Sequence, residues 1–385
     1  MQVPFHRPWL THNEEEAVLR VLRSGWLTTG AETQAFEEEF AAWQGSGEAV
    51  GTLSCTTALE ILLASLQLPP GSEVITSSLT FASTAHAIVH QGLVPVFADV
   101  LPGTLLLDPA SVAQKIGPRT RALLPVHVGG HACNMEALGE LAADRQLYLV
   151  EDCAHALEAR WQGQPLGSFG YGGAFSFYAN KNMTTGEGGM AWVQDPALAA
   201  RLRLWRNHGL DYDSYARDRR PEGHYQQYDI LLPGYKYAMF DLQAALGRVQ
   251  LRRVTHMHHR RQLLAARYQA GLAPIATLAQ PLLPDPRCQS AWHLFVLRLN
   301  SEALTASRDQ IVAAIRQAGV GLSIHFKPVH RFSYYQQLGW LPGDVPQAEA
   351  MHASVCSLPL FPAMTEAEQD FVIQTVTRIL KQYAR

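Results

Sequence analysis

The run AVGTLSCTTALEILLASL, residues 49–66, decides the fold class. It opens with a short apolar stretch, 49–53, of the length of a strand. It continues through a small polar turn into SCTTALEILLASL, a strongly apolar helix. Thr57 and Glu60 have the spacing of a capping box at the helix start. A strand that turns directly into a helix is the opening of an α/β unit. The same alternation continues downstream: strands at 73–76, 94–99, 122–128 and 147–150, with helices at 83–90, 111–116 and 135–144 between them. Two amphipathic helices, 14–23 and 33–43, precede the run. The pattern predicts a mostly parallel sheet with helices on both faces.

After Gly170 the pattern changes. AFSFY (174–178) and MAWV (190–193) read as short strands around the loop ANKNMTTGEGG, with a helix at 196–206. Residues 211–235 read as a surface excursion, and 240–272 as a long helix with a break. The proline-rich stretch 274–286 reads as a linker. Beyond it a strand in WHLFVLRL, a helix in SRDQIVAAIRQAG, a short strand near 320–326 and a final helix from 365 predict a smaller α+β unit. The expected division is a large domain over 1–250 and a small one over 251–385.

Composition narrows the function. The chain has 385 residues, 47% hydrophobic and 17% charged, with a formal net charge of −3, which argues against a nucleic-acid partner. No run of about 18 apolar residues suggests a membrane span. The five cysteines, Cys55, Cys133, Cys153, Cys288 and Cys356, lack CxxC spacing, which points to a reduced, cytoplasmic setting. HMHHR at 256–260 has metal-like composition without a carboxylate nearby, so it reads as a polar helix face, and no metal site is expected. There are only five lysines (Lys115, Lys181, Lys236, Lys327 and Lys381), so chemistry needing a neutral amine has few candidates.

Ligands of open α/β sheets bind at the carboxyl ends of the strands. That rule gathers several groups on one rim. Thr56 and Thr57 open a helix whose N-terminus suits an anion, although a capped helix start is also the ordinary reading. Asp152 and His155 follow a hydrophobic strand. Ser176 and Lys181 lie in and after AFSFY, and Gly186, Gly188 and Gly189 permit close backbone approach. A carboxylate facing a ring nitrogen would keep it protonated, and a lysine in this setting can act covalently once neutral. Taken singly, each of these residues is as readily structural.

Together they carry a resemblance. The segments EDCAHALEA, GSFGYGGAFSFYANKNMTTGEGGM, RNHG and PGYKYAMFDLQAALGRVQL, with the opening run and SGWLTTG, resemble the DegT/StrS family of sugar aminotransferases over nearly the whole chain. The resemblance implies the fold of type I pyridoxal-phosphate (PLP) enzymes, with a large PLP domain, a small C-terminal domain and a homodimer with interface sites. It implies that Lys181 holds PLP covalently, that Asp152 pairs with the pyridine nitrogen and that His155 contacts the ring hydroxyl oxygen. Thr56, Thr57 and Ser176 would hold the phosphate, and Phe81 would stack on the ring. Lys236 would reach the phosphate of the partner subunit, although many relatives place asparagine there. Cys55 and Thr56 also depart from the family's usual glycine or alanine.

The implied reaction moves an amino group from L-glutamate to a nucleotide-linked (UDP or dTDP) keto-sugar. SAWHLF, GLSIHFKPVH and VCSLPLFP look most like enzymes acting at the C4 ketone, with His325 and His330 near the sugar. Transfer at C3, another PLP reaction on an amino acid and a non-catalytic PLP-binding regulator are the competing readings.

Overall fold

The computed structural model describes residues 1–211 and 228–385. Helices α1 (His12–Ser24) and α2 (Ala31–Gln44) lead into strand β1 (Glu48–Thr52) and α3 (Cys55–Ser65). Then come β2 (Glu73–Ser77), α4 (Ala82–His90), β3 (Val94–Ala98), α5 (Pro109–Lys115), β4 (Thr120–Leu124), α6 (Met135–Asp144) and β5 (Tyr148–Asp152). Two short strands, β6 (Arg160–Trp161) and β7 (Gln164–Pro165), precede β8 (Gly172–Ser176), β9 (Gly189–Val193) and α7 (Pro196–Arg206).

The main sheet has the order β1-β9-β8-β5-β4-β2-β3, and only β9 runs against the rest. Its strands are nearly all buried because helices cover both faces, as a parallel sheet requires. One face packs on Phe36, Phe40, Leu138 and Met257, the other on Leu59, Leu62, Ile88 and Leu202. The fold is thus the predicted α/β architecture.

A 32-residue helix, α8 (Asp241–Leu272), follows. It is continuous, which corrects the expected break. Gly247 sits within it because the Phe36 ring packs there: a Cβ would lie 2.7 Å from that ring. At its start the Asp241 carboxylate accepts the N–H groups of Gly30 and Thr33 (2.8 and 3.0 Å), fastening α2 to α8. Leu251, Val254 and Met257 still pack in the first core, and from Leu264 onward the helix belongs to a second core, where Leu264, Tyr268 and Leu272 meet Phe295, Ile311, Val372 and Ile379. The domain boundary expected at residue 250 therefore falls inside one helix.

The second core is built on β10 (Ala279–Pro281), β12 (Phe295–Leu299) and β13 (Val355–Leu358), while β11 (Cys288–Gln289) pairs with β6. Helices α9 (Arg308–Gln317), α10 (Ser333–Gln337), α11 (Pro346–Ser354) and α12 (Glu366–Gln382) complete the chain. The proline-rich stretch is not a linker: it contributes edge strand β10, where proline is tolerated. The strand expected near 320–326 reduces to isolated bridges, Val320 to Val3 and Ser323 to Ser357. Most of the expected surface excursion at 211–235 lies outside the described residues.

Candidate active site

The carboxyl ends of β1, β2, β4, β5 and β8 open onto a cavity of about 640 Å³ lined by Ser54, Thr56, Phe81, Asp152, His155, Ser176, Lys181, His293 and His325, among others. A groove of about 740 Å³ between α2 and α7 is larger, but four of its five charged side chains are tied up in the Arg206–Glu37 and Arg203–Glu48 pairs. The chemically diverse groups converge on the first cavity.

At one end lies the start of α3. Its cap is Ser54, whose Oγ accepts the Thr57 N–H at 3.2 Å, while the Thr57 hydroxyl accepts the Ser54 N–H at 3.0 Å. This corrects the capping pair expected from Thr57 and Glu60. It also takes Thr57 out of the cavity, because the cap engages its hydroxyl. Thr56 lines the cavity beside the helix N-terminus, where unpaired N–H groups and the dipole favour an anion. Gly189 of β9 makes room for that turn: a Cβ there would fall 2.3–2.5 Å from the Ser54 and Cys55 backbone. Ser176 closes the same end.

Deeper in, Asp152 ends β5. Its Oδ2 accepts the Thr84 hydroxyl at 2.7 Å and its Oδ1 accepts the Ala154 N–H at 3.0 Å. Burial pushes its pKa up, against the opposing pull of those donors and of Lys181. The preceding residue, Glu151, is fully buried and accepts from His127 Nε2 (3.1 Å) and from the N–H groups of Gly167 and Phe169. That network anchors the strand end that carries Asp152. His127, Glu151 and Cys153 come within metal-ligand spacing, but these N–H donors engage the carboxylate.

Lys181 stands in the loop after β8. Burial lowers its pKa to about 8, although Cys55 and Asp152 pull it back up. Its Nζ makes no hydrogen bond or ion pair among the described residues. Three histidines share the cavity, all held neutral at pH 7. Burial pushes His155 and His293 well below the usual imidazole range and His325 to about 4.

The hydrogen-bond network assigns two of their tautomers. The Gly129 N–H points at His155 Nδ1 (3.2 Å), so the proton sits on His155 Nε2, a donor. Asn182 gives its Nδ2–H to Ala291 O (2.8 Å), so its Oδ1 accepts His293 Nδ1–H (3.0 Å) and His293 Nε2 is left an acceptor. The wall thus offers one imidazole of each polarity. Phe81 also lines the cavity and is 65% exposed.

Besides Thr57, two expected residues lie elsewhere. His330 does not line the cavity: it is fully buried, its Nδ1 bonded to Ser78 Oγ (2.6 Å) and its Nε2 to Glu349 (2.8 Å). It ties the end of β2 to α11, so the expectation of a sugar-contacting His330 is corrected. Lys236 is exposed, 3.4 Å from Asn207 Oδ1, and outside this chain's own cavity. Cys55, noted only as a departure from the family, lines the cavity, and Thr80, Asn180, Glu187 and His293 line it without having been singled out. GEGG and SAWHLF were the signals for the last two.

The arrangement suits pyridoxal phosphate. It combines an anion cradle at a helix N-terminus, a buried carboxylate, an amine poised to lose its proton and an aromatic face in one cavity. Asn180 Oδ1, buried there without a partner, is a further acceptor waiting for a donor.

Comparison with known proteins agrees. The model of the DegT/DnrJ/EryC1/StrS aminotransferase family matches residues 8–377. The chain is 42% identical to the spore coat polysaccharide biosynthesis protein SpsC of Bacillus subtilis, covering 98% of this chain and 97% of that one. The PMP-form structure of Spr1654 from Streptococcus pneumoniae superposes with a TM-score of 0.92 at 30% identity, over 99% of each chain; its PLP-form is also solved. Helicobacter pylori PseC, an aminotransferase of pseudoaminic acid biosynthesis, superposes with a TM-score of 0.92 at 25% identity over the whole of both chains.

Proposed function

The chain belongs to the DegT/DnrJ/EryC1/StrS aminotransferase family, and from that premise we propose that it moves an amino group from L-glutamate to the C4 ketone of a nucleotide-linked sugar. It is a PLP-dependent sugar aminotransferase. The donor, the nucleotide, the C4 position and the residue roles are our reading. One observation carries those roles: Lys181, its pKa lowered to about 8, shares a cavity with buried Asp152 and the N-terminus of α3.

In this reading Lys181 would hold the cofactor covalently and, once released, its neutral Nζ would accept the proton from the donor's α-carbon. General acid–base catalysis of this kind contributes about 10²–10⁴-fold. Bound PLP supplies an electron sink for the pair left by that C–H bond. Asp152 would keep the ring nitrogen protonated. Thr56, Ser176 and the first-turn N–H groups of α3 hold the phosphate, and Phe81 covers one ring face. His155 offers its Nε2–H to the ring oxygen, and His325 lies toward the sugar.

Two further features are proposed. The enzyme is a homodimer in which Lys236 serves the partner subunit's site. Ile230 and Leu231, 60% and 59% exposed, are apolar surface suited to burial by a second copy. A cytoplasmic setting is supported by five free, buried cysteines. No described helix is long and apolar enough to cross a membrane.

The test is an absorbance spectrum of the purified protein before and after L-glutamate. The expected result is a visible cofactor band that glutamate bleaches, that a nucleotide 4-keto-sugar restores, and that Lys181→Ala lacks. A band restored only by 3-keto-sugars would overturn the C4 assignment, and a band blind to amino donors would overturn amino transfer by this site.

A further inference from the structure

We propose that Thr84, braced by Thr80, is a positioning residue that sets the orientation and charge of Asp152; the inference rests on the reading of Asp152 as the partner of the cofactor's ring nitrogen.

The carboxylate is buried, so its direction and charge depend on its donors. Thr84 is fully buried on α4, and its hydroxyl donates to Asp152 Oδ2 at 2.7 Å. A hydroxyl has one proton. With that proton committed to Asp152, the Thr84 oxygen accepts from the Thr80 hydroxyl, 2.8 Å away. Thr80 itself lines the cavity. The result is a directed chain, Thr80 to Thr84 to Asp152, and each bond in such a chain polarises the next.

The second oxygen of Asp152 takes the Ala154 N–H at 3.0 Å. The Cys55 thiol, 4.0 Å away, adds little. One donor from α4 and one from the turn after β5 therefore fix the carboxylate plane. Burial favours the neutral acid, and the Thr84 bond is the first of the groups that oppose it.

Phe81 lies between the two threonines and caps α4. Its carbonyl accepts the Thr84 N–H at 3.2 Å. A single turn thus presents the aromatic face to the cavity and clamps the carboxylate behind it, so the two are placed in register by local geometry.

Thr84→Val keeps the shape and removes the donor, whereas Thr84→Ser keeps the donor. The measurements are PLP affinity of the unloaded enzyme by fluorescence titration, the pH dependence of the bound cofactor's visible band, and the melting temperature of each unloaded variant. Hydrogen bonds to charged groups of this kind predict a PLP affinity about 10- to 100-fold weaker in Thr84→Val. The pH midpoint of its band should also move, and Thr84→Ser should restore both. Thr80→Val should show the same changes at smaller size.

Wild-type affinity and an unmoved band in Thr84→Val would overturn the proposal while leaving the cofactor reading intact. Equal damage in Thr84→Ser and Thr84→Val, tracking lost melting temperature, would also overturn it, because packing would then explain the effect. A wild-type chain that takes up no PLP would overturn the cofactor reading itself, and this inference with it.

Discussion

Lys181 has a pKa of about 8 in the folded protein against an ordinary 10.5, with burial as the main cause. The folded state therefore binds this proton less well than the unfolded state. Between pH 8 and 10.5 the folded chain has already lost the proton while the unfolded chain keeps it, so stability rises with pH across that window; the cost is complete below pH 8 and gone above 10.5. Lys181→Met should accordingly stabilise the unloaded protein at pH 7, by on the order of 1–3 kcal/mol. Denaturant melts at several pH values would show the gap narrowing above pH 8, and a pH-independent gap would contradict this origin. The same amine must be neutral to attack an aldehyde. Stopped-flow uptake of PLP should slow about tenfold per pH unit below pH 8 and level off above it; a midpoint near 6.5 would implicate a histidine instead. The rim positions of Lys181 and Asp152 were legible because Asp152 closes one strand and Lys181 follows another, and such strand ends must lie on the ligand rim. Thr57 and His330 were misjudged because the sequence gives a side chain's neighbours along the chain but not whether its polar atoms are already engaged. Only the structure shows Thr57 spent on the cap and His330 bonded at both nitrogens.

The α3 start is where element structure and site chemistry coincide. Ser54→Ala removes the cap to Thr57 and should destabilise the protein by about 1 kcal/mol. It should also weaken PLP binding, because the same turn presents the phosphate donors. Thermal melts of the unloaded variant and PLP titration would separate the two effects. Gly189→Ala is the harsher change. Its Cβ would overlap the Ser54–Cys55 backbone at 2.3–2.5 Å, so β9 and the helix start must part. Overpacking of this kind costs about 1–3 kcal/mol, and PLP affinity should fall by more than in Ser54→Ala. Retention of full affinity would mean that the α3 N-terminus is not the phosphate cradle. Elements with a clear period were legible: apart from the two-residue strands β6 and β7, which the pattern did not suggest, the strands and helices of residues 12–206 fall within a few residues of expectation. The failures have physical causes. The break expected in α8 is absent, and Gly247 lies inside that helix where Phe36 approaches closely. The prolines of 274–286 masked β10, because an edge strand tolerates residues that a central strand rejects.

At the scale of the molecule, α8 threads both cores, so the cavity floor formed by β5 and β8 and the wall carrying His293 and His325 are held by one continuous element. One subunit nevertheless leaves its expected phosphate contact incomplete: Lys236 projects from the surface outside its own cavity. If it serves the partner subunit's site, the two lysines of one working site come from different chains, and mutants can complement each other. Lys181→Ala homodimers should lack the cofactor band, and Lys236→Ala homodimers should bind PLP weakly. After unfolding and refolding together in equal amounts, half of the dimers are mixed, and each contains one site with both native lysines. About a quarter of all sites should then recover native PLP affinity, as two-fold symmetry dictates. Recovery requires assembly, so it should fall on adding Ile230→Lys and Leu231→Lys if that apolar surface lies in the interface, and light scattering should then report a monomer. Absence of recovery in a mixture shown to be dimeric would assign Lys236 to its own subunit, or to no site at all. Because each parent homodimer lacks one native lysine in both of its sites, neither residual parent nor simple refolding can imitate the recovered fraction.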